Sequence, residues 1–143
     1  MKANSNIIIE EENPDSIKQA LQKGLREYNY EFLGQYESQK FAIYIKDEET
    51  QVIAGIYGFI IAKHKTMRLE FVWVHENARN KGIGTQLLKY IDEYAISKGC
   101  EAVQVSTMEF QGKEFYGKMG YKQIGLIPKW FCDKDEIFFL KKL

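Results

Sequence analysis

A strand that leads through a short basic loop directly into a helix is the feature of this sequence that most constrains its fold. The apolar run that begins at Met67 ends at Val74, and a helix is predicted over residues 84–98. The loop between them contains Arg79 and Lys81. A helix N-terminus offers unpaired N–H groups and the positive end of the helix dipole, and glycines let a phosphate approach the backbone. The segment is therefore compatible with a pyrophosphate site, although a plain strand-to-helix turn with solvated basic residues fits the spacing equally well.

The order of the remaining elements predicts an α/β (α+β) chain with one mixed, mostly antiparallel sheet of about seven strands and flanking helices. Seven strands are predicted, over residues 7–12, 41–45, 52–62, 67–74, 102–105, 121–127 and 136–143. Two more helices are predicted from residue 14 to about 28 and over residues 113–119, with a loop or second short helix over 28–36. Gly55 and Gly58 inside a strand indicate a bulge or a close backbone contact. No linker composition divides the chain, so a single domain over residues 1–143 is expected.

Composition narrows the classes of partner. Lys plus Arg and Asp plus Glu each number 20 among 143 residues, so the net charge gives no reason to expect nucleic acid or a membrane surface as partner. No apolar stretch approaches membrane-spanning length and no signal peptide is visible, which predicts a cytoplasmic protein. The two cysteines form no CxxC pair and no histidine cluster accompanies them, so reduced thiols and no metal site are expected.

Two motifs in this order resemble one known family. The stretch Arg79-Asn80-Lys81-Gly82-Ile83-Gly84 matches the [R/Q]-x-x-G-x-[G/A] signature of the GNAT superfamily of N-acetyltransferases. The stretch from Glu114 to Tyr121 is similar to that family's F-Y-x-K-x-G-[F/Y] segment. The resemblance is firmest over residues 67–121 and weakest in the first 40. It implies the GNAT acyltransferase fold.

The resemblance implies acetyl-coenzyme A as the cofactor and no metal. In the family, the strand before the loop splays from its parallel neighbour, the pantetheine arm lies in the gap, and backbone N–H groups of the loop hold the pyrophosphate. Carried over by motif position, the implied cofactor-binding residues are Val72, Trp73, Val74, Arg79, Asn80, Lys81, Gly82, Ile83, Gly84, Thr85 and Gln111. Gln111 stands near the position of a common family asparagine, and Ser106 and Thr107 are alternatives for the same contact.

The implied chemistry is direct attack of a neutral amine on the thioester carbonyl. Tyr116 occupies the position of a tyrosine that lies near the coenzyme sulfur in many members, so it is the candidate general acid; the alternative is a packing aromatic like Phe115. Glu70 is the candidate base, directly or through a water molecule; the alternative is a solvent-facing or salt-bridged carboxylate. His75 is a further titratable candidate, for which a surface role is favoured.

The acceptor is expected to be a small-molecule primary amine. Family resemblance would place it among aromatic side chains that could instead belong to the core: Tyr28, Tyr30, Phe32, Tyr36, Trp130 and Phe131. The last two are predicted in a loop between the final strands, and their apolar character favours a homodimer. A protein N-terminal or lysine acetyltransferase and a non-catalytic acyl-coenzyme A-binding module are the alternative functions.

Overall fold

The computed structural model describes residues 6–143, which fall into two compact units divided after Tyr36. The single domain predicted for residues 1–143 stays a prediction.

The N-terminal unit contains one long helix. Helix α1 (Pro14–Leu33) begins with proline in its first turn, where the missing N–H costs nothing. Gly34 caps the C-terminal end of the helix and has a φ of 69°. The predicted end near Tyr28 is wrong. Tyr28 and Phe32 are four residues apart, and their rings pack with centroids 5.2 Å apart on the continuing helix.

The strand predicted over residues 7–12 is also wrong, because these residues are not in regular secondary structure. Ile7, Ile8 and Ile9 are exposed, and a β-branched run forms a strand only where a partner completes its hydrogen bonds. The described sheet therefore has six strands, one fewer than expected.

The second unit is this sheet with two helices. In chain order it comprises β1 (Gln39–Lys46), β2 (Val52–Ile61), β3 (Thr66–Val74), α2 (Ile83–Ser97), β4 (Ala102–Met108), α3 (Lys113–Lys118), β5 (Lys122–Phe131) and β6 (Lys134–Lys142). The strands lie in the order β1-β2-β3-β4-β6-β5, and only β3 and β4 are parallel. The predicted mixed, mostly antiparallel sheet is confirmed.

The core forms where helix α2 packs on one face of the sheet. Its buried side chains repeat at helical spacing and are at most 3% exposed: Leu87, Leu88, Ile91 and Ala95. They join Ile60 and Val103 of the sheet in one apolar cluster. Each buried leucine, isoleucine or valine of this cluster contributes about 1.5–3 kcal/mol by its burial.

A β-bulge in β3 interrupts the regular alternation of this sheet. Tyr57 pairs with Phe71 but Gly58 pairs with Leu69, so Glu70 is an extra residue without a partner on β2. Leu69 and Val72 therefore both pack in the core although they are three residues apart. The close contact expected at Gly58 is confirmed, because a Cβ there would lie 2.2 Å from the carbonyl oxygen of Arg68.

The final hairpin is tighter than the sequence indicated. Residues 128–131 belong to β5, with a register irregularity between Ile127 and Phe131, and the turn is formed by Cys132 and Asp133. Both turn residues have positive φ, 49° and 60°, as a two-residue hairpin turn requires. The predicted loop over residues 128–131 is wrong, because this turn lets the strand pairing continue almost to the tip.

Candidate active site

A cavity of about 940 Å³ opens where β3 and β4 part. The two parallel strands pair from Thr66 with Ala102 to Leu69 with Val105, and their pairing ends there, one residue before the bulge at Glu70. The second half of β3, the start of α2, the end of β4 and helix α3 form the walls. Tyr116, Glu70 and every predicted cofactor-binding residue except Lys81 line this cavity.

The start of helix α2 forms one end of the cavity. Gly82 precedes the helix with a φ of 76°, and no side chain caps the first turn. The first N–H groups of α2 therefore have no partner within the helix and carry the positive end of its dipole. Gly84 packs closely against α3, because a Cβ there would lie 3.1 Å from the Phe115 ring and the ring would have to shift by a few tenths of an ångström. This end can accept an anion through backbone groups.

The two basic residues of the loop have different positions. Arg79 lines the cavity, and its Nε donates a hydrogen bond of 2.9 Å to the carbonyl oxygen of Val74, which ties the loop to the end of β3. Lys81 lines a separate hollow of about 490 Å³ together with Asp47 and Asn77. Lys81 lies between Asn80 and Gly82, which both have positive φ, so the chain turns sharply on either side of it.

Tyr116 lies in helix α3 and lines the cavity while only 4% exposed. Its ring packs against Phe115, Tyr121 and Phe139, with centroids 5.5–5.6 Å apart. Burial raises the pKa of Tyr116 to about 12, because the apolar surroundings disfavour a phenolate. The phenol therefore keeps its proton at neutral pH and can donate it toward the cavity.

Gln111 and Thr107 hold the turn between β4 and α3. The Gln111 Oε1 accepts a hydrogen bond of 3.3 Å from the Met108 N–H, and the Thr107 hydroxyl lies within 3.4 Å of the Gln111 carbonyl oxygen. Both residues and Ser106 line the cavity. Because the Gln111 Oε1 serves the turn, its amide NH₂ is the group suited to a ligand.

Glu70 and His75, the two candidates for the base, differ in position. Glu70 is the bulged residue and lines the cavity with an exposed side chain. His75 does not line it; its Nδ1 accepts a hydrogen bond of 3.1 Å from the Asn77 N–H and its ring packs edge-on against Trp73. His75 therefore caps the turn after β3, in agreement with the surface role favoured from the sequence.

Sequence reasoning missed two large aromatic residues of the cavity, Phe71 and Phe110. They are 67% and 65% exposed, and no motif includes them. Of the aromatics proposed for the acceptor, Trp130 and Phe131 are more than 60% exposed and do not line the cavity. The other four lie in the N-terminal unit, so an acceptor site built from this set stays a prediction.

The described residues meet the requirements of neither a metal site nor a membrane-spanning helix. Within residues 6–143, no group of three or more His, Cys, Asp or Glu side chains is arranged to hold a metal ion. No helix of this part of the chain is long and apolar enough to cross a membrane.

The strand parting, the bulge and the uncapped helix start meet at one cavity, and comparison with known proteins identifies the family. Residues 6–121 match the family described as "Acetyltransferase (GNAT) family". The chain belongs to this family, whose members use acetyl-coenzyme A as acetyl donor. It is an acyltransferase with the GNAT fold.

Individual relatives agree with this assignment. A blasticidin-S acetyltransferase from Streptomyces morookaense is 29% identical over 91 residues, which are 63% of this chain and 65% of the relative, so the match spans just under two thirds of that protein. A crystal structure of an acetyltransferase from Bacillus cereus is similar with a TM-score of 0.86 and 26% identity, covering 97% of this chain and 98% of that one. An aminoglycoside 6'-N-acetyltransferase complexed with coenzyme A shares the fold at a TM-score of 0.63 and 21% identity, covering 95% and 97%.

Proposed function

We propose that this protein acts in the cytoplasm as an N-acetyltransferase that moves the acetyl group of acetyl-coenzyme A to the primary amine of a small molecule. The observation that carries the proposal is the cavity between the parted strands β3 and β4, which leads from Glu70 to the uncapped start of helix α2.

The two ends of this cavity suit the two ends of the coenzyme. Beyond Leu69 the edge of β3 that faces β4 has no strand partner, so the backbone of Val72 and Val74 is available to the amide groups of the pantetheine arm. The N–H groups at the start of α2 and the Arg79 guanidinium suit the pyrophosphate. The coenzyme supplies the activated acetyl group.

The side chains near the parting supply the proton transfers. Glu70, directly or through a water molecule, takes a proton from the acceptor ammonium; the neutral amine attacks the thioester carbonyl, a C–N bond forms and the C–S bond breaks. Tyr116 donates its proton to the leaving thiolate, and the second proton that the nitrogen loses as the amide forms restores the phenol. A thiol has a pKa of about 8.5, so this leaving group needs only modest acid assistance.

A small acceptor is supported by the activities in the relatives' names, which are acetylations of blasticidin-S and of aminoglycosides. The aromatic side chains of Phe71, Trp73 and Phe110 at the cavity also suit a compact cationic amine, because aromatic faces attract ammonium groups. Two alternative functions are acetylation of a protein N-terminus or lysine, and binding of acyl-coenzyme A without turnover.

A screen of acceptors tests the proposal. Antibiotic amines, polyamines, amino acid derivatives and lysine-containing peptides are each mixed with acetyl-coenzyme A, and the release of free thiol is measured. We expect turnover with at least one small amine and little with peptides. Turnover with peptides alone, or coenzyme binding without turnover on any acceptor, would contradict the proposed substrate class.

The coenzyme site has a direct test in Gly82→Asp. The side chain would enter the phosphate space with a like charge, worth about 4 kcal/mol at a separation near 4 Å and an effective dielectric constant of about 20. We expect acetyl-coenzyme A affinity, measured by calorimetry, to fall by roughly 100-fold or more.

Gly99→Asp is the matched control for this substitution. Gly99 has nearly the same φ, 78°, has no atom within 4 Å of the position that a Cβ would take, and follows the opposite end of α2. It therefore bears the same backbone strain without approaching the cavity, and affinity should be kept. Unchanged affinity in a folded Gly82→Asp protein would refute the phosphate-binding role of the loop.

A further inference from the structure

A polar cluster of three residues from three segments lies next to Tyr116 without lining the cavity. Asp92 of α2 and Lys141 of β6 form an ion pair, with side chains 22% and 20% exposed. The Lys141 Nζ lies 5.8 Å from the ring centroid of Tyr121, the residue before β5. The cluster thus joins a helix to two neighbouring strands beside the proposed catalytic tyrosine.

Two atoms of this cluster are buried and complementary. Residues 6–143 contain three buried side-chain polar atoms without a hydrogen-bond partner, and two of them are the Asp92 Oδ1 and the Tyr121 hydroxyl oxygen. An unpartnered buried polar atom costs about 1–3 kcal/mol, and most such atoms in folded proteins are paired. One of these atoms is a carboxylate acceptor and the other carries an O–H donor, so one water molecule between them would satisfy both.

Tyr121 also contacts Tyr116 directly. Their rings meet at an angle of 75° with centroids 5.6 Å apart, and the ring of Phe139 lies 5.5 Å from Tyr116. Burial, with smaller contributions from the Asp92 charge and from Tyr116, raises the pKa of Tyr121. The Tyr121 phenol therefore keeps its proton and can donate a hydrogen bond. It also lies close enough to Asp92 to interact with the carboxylate charge.

We propose that Tyr121 is a positioning residue for acetyl transfer: its hydroxyl donates to a water molecule that bridges it to the Asp92 carboxylate, and this fixes the ring that holds Tyr116. The Asp92–Lys141 ion pair in turn fixes the carboxylate. This inference rests on the proposed role of Tyr116 as the acid. Tyr121 itself touches neither substrate nor coenzyme, so its effect passes through the Tyr116 ring.

A double-mutant cycle tests the proposal. Tyr121→Phe removes one hydroxyl and keeps the ring. We expect the single-turnover rate of acetyl transfer to fall roughly threefold to tenfold. The KM for acetyl-coenzyme A should be unchanged, because the Tyr116 hydroxyl, which this substitution displaces, acts only in the chemical step. In a Tyr116→Phe background, Tyr121→Phe should cause no further loss, because its effect requires the Tyr116 hydroxyl. Asp92→Asn should reproduce the loss caused by Tyr121→Phe.

Tyr94→Phe is the matched control. Tyr94 packs against the same core and its ring contacts Phe41, but it does not line the cavity. The single-turnover rate of acetyl transfer by the Tyr94→Phe variant should be unchanged. Thermal melting verifies that each variant is folded.

Three results would overturn the inference. An unchanged rate in folded Tyr121→Phe refutes positioning, and equal losses in both backgrounds show a structural effect independent of Tyr116. If Tyr116→Phe alone keeps the full rate, the acid role in the proposed function fails and the positioning role fails with it.

Discussion

At the scale of the residue, the site combines groups from short stretches whose properties depend on their surroundings. Tyr116 is a phenol that burial keeps protonated, and Glu70 is a carboxylate left without a strand partner by the bulge. Arg79 is exposed, and the hydrogen bond from its Nε to the end of β3 orients the guanidinium at the cavity. These surroundings give ordinary side chains defined roles.

The role of Tyr116 can be measured with Tyr116→Phe. The substitution keeps the ring contacts with Tyr121 and Phe139, so folding and coenzyme affinity should survive. A general acid contributes about 10²–10⁴-fold, and the easily displaced thiolate places this one near or below the lower limit. We expect the single-turnover rate to fall by up to about 100-fold. An unchanged rate across about pH 6–9, with an acceptor known to be turned over, would leave Tyr116 as a packing residue.

At the scale of the element, β3 is two half-strands joined by a bulge. Its first half pairs with both neighbours, and its second half pairs only with β2. Gly58 lies beside the bulge, where the carbonyl oxygen of Arg68 approaches too closely for any side chain. The bulge therefore depends on a glycine in the neighbouring strand.

Gly58→Ala tests this dependence. A Cβ placed 2.2 Å from the Arg68 carbonyl oxygen forces the two strands apart, so we expect destabilisation of about 1–3 kcal/mol and a reduced transfer rate. Gly125→Ala is the control, because a Cβ added to this strand glycine would have no atom within 4 Å. Its stability should change by less than about 0.5 kcal/mol. Equal unfolding free energies for both variants in urea would contradict the steric clash at Gly58.

At the scale of the whole molecule, the buried tyrosines link stability to alkaline pH. The ordinary pKa of 10.0 applies to Tyr116 in the unfolded chain, whereas burial raises it to about 12 in the folded protein. Below about pH 10 the phenol keeps its proton in both the folded and the unfolded state, so the stabilising contribution of Tyr116 is fully present. Between about pH 10 and 12 the unfolded state loses its proton first, so the free energy of unfolding falls as pH rises.

The size of this effect is checked by urea unfolding at about pH 8 and pH 11. A pKa raised from 10.0 to about 12 corresponds to roughly 3 kcal/mol when fully expressed. We expect the Tyr116→Phe protein to lose less stability between the two pH values than the original protein. Identical losses would show that the phenol titrates alike in both states.

The state of association is a second property of the whole molecule. Trp130 and Phe131 are 62% and 67% exposed at the end of the last hairpin, next to a two-residue turn. Exposed aromatic pairs of this kind favour association, so a homodimer stays our prediction. Light scattering at micromolar concentration should give twice the mass of one chain, and the Trp130→Ser, Phe131→Ser double variant should lower it. A mass of one chain for the original protein would refute the dimer.

The sequence by itself determined most of the local structure of this protein and the family to which it belongs. Helix α2 followed from its apolar spacing, and the loop that joins it to β3 followed from glycines and basic residues placed between a strand and a helix. These features depend on neighbouring residues, whose spacing the sequence states directly. The strand wrongly predicted over residues 7–12 had the composition of a strand but no partner.

Only the tertiary structure decided how the site is assembled. The separation of β3 from β4 after Leu69 depends on the pairing of two strands that are distant in sequence, and the extra residue at Glu70 depends on the register between β2 and β3. The cluster of Tyr121, Asp92 and Lys141 likewise joins residues up to 49 positions apart. Long-range pairing and burial set these contacts, and they depend on which elements lie beside one another, so no local pattern in the sequence contains them.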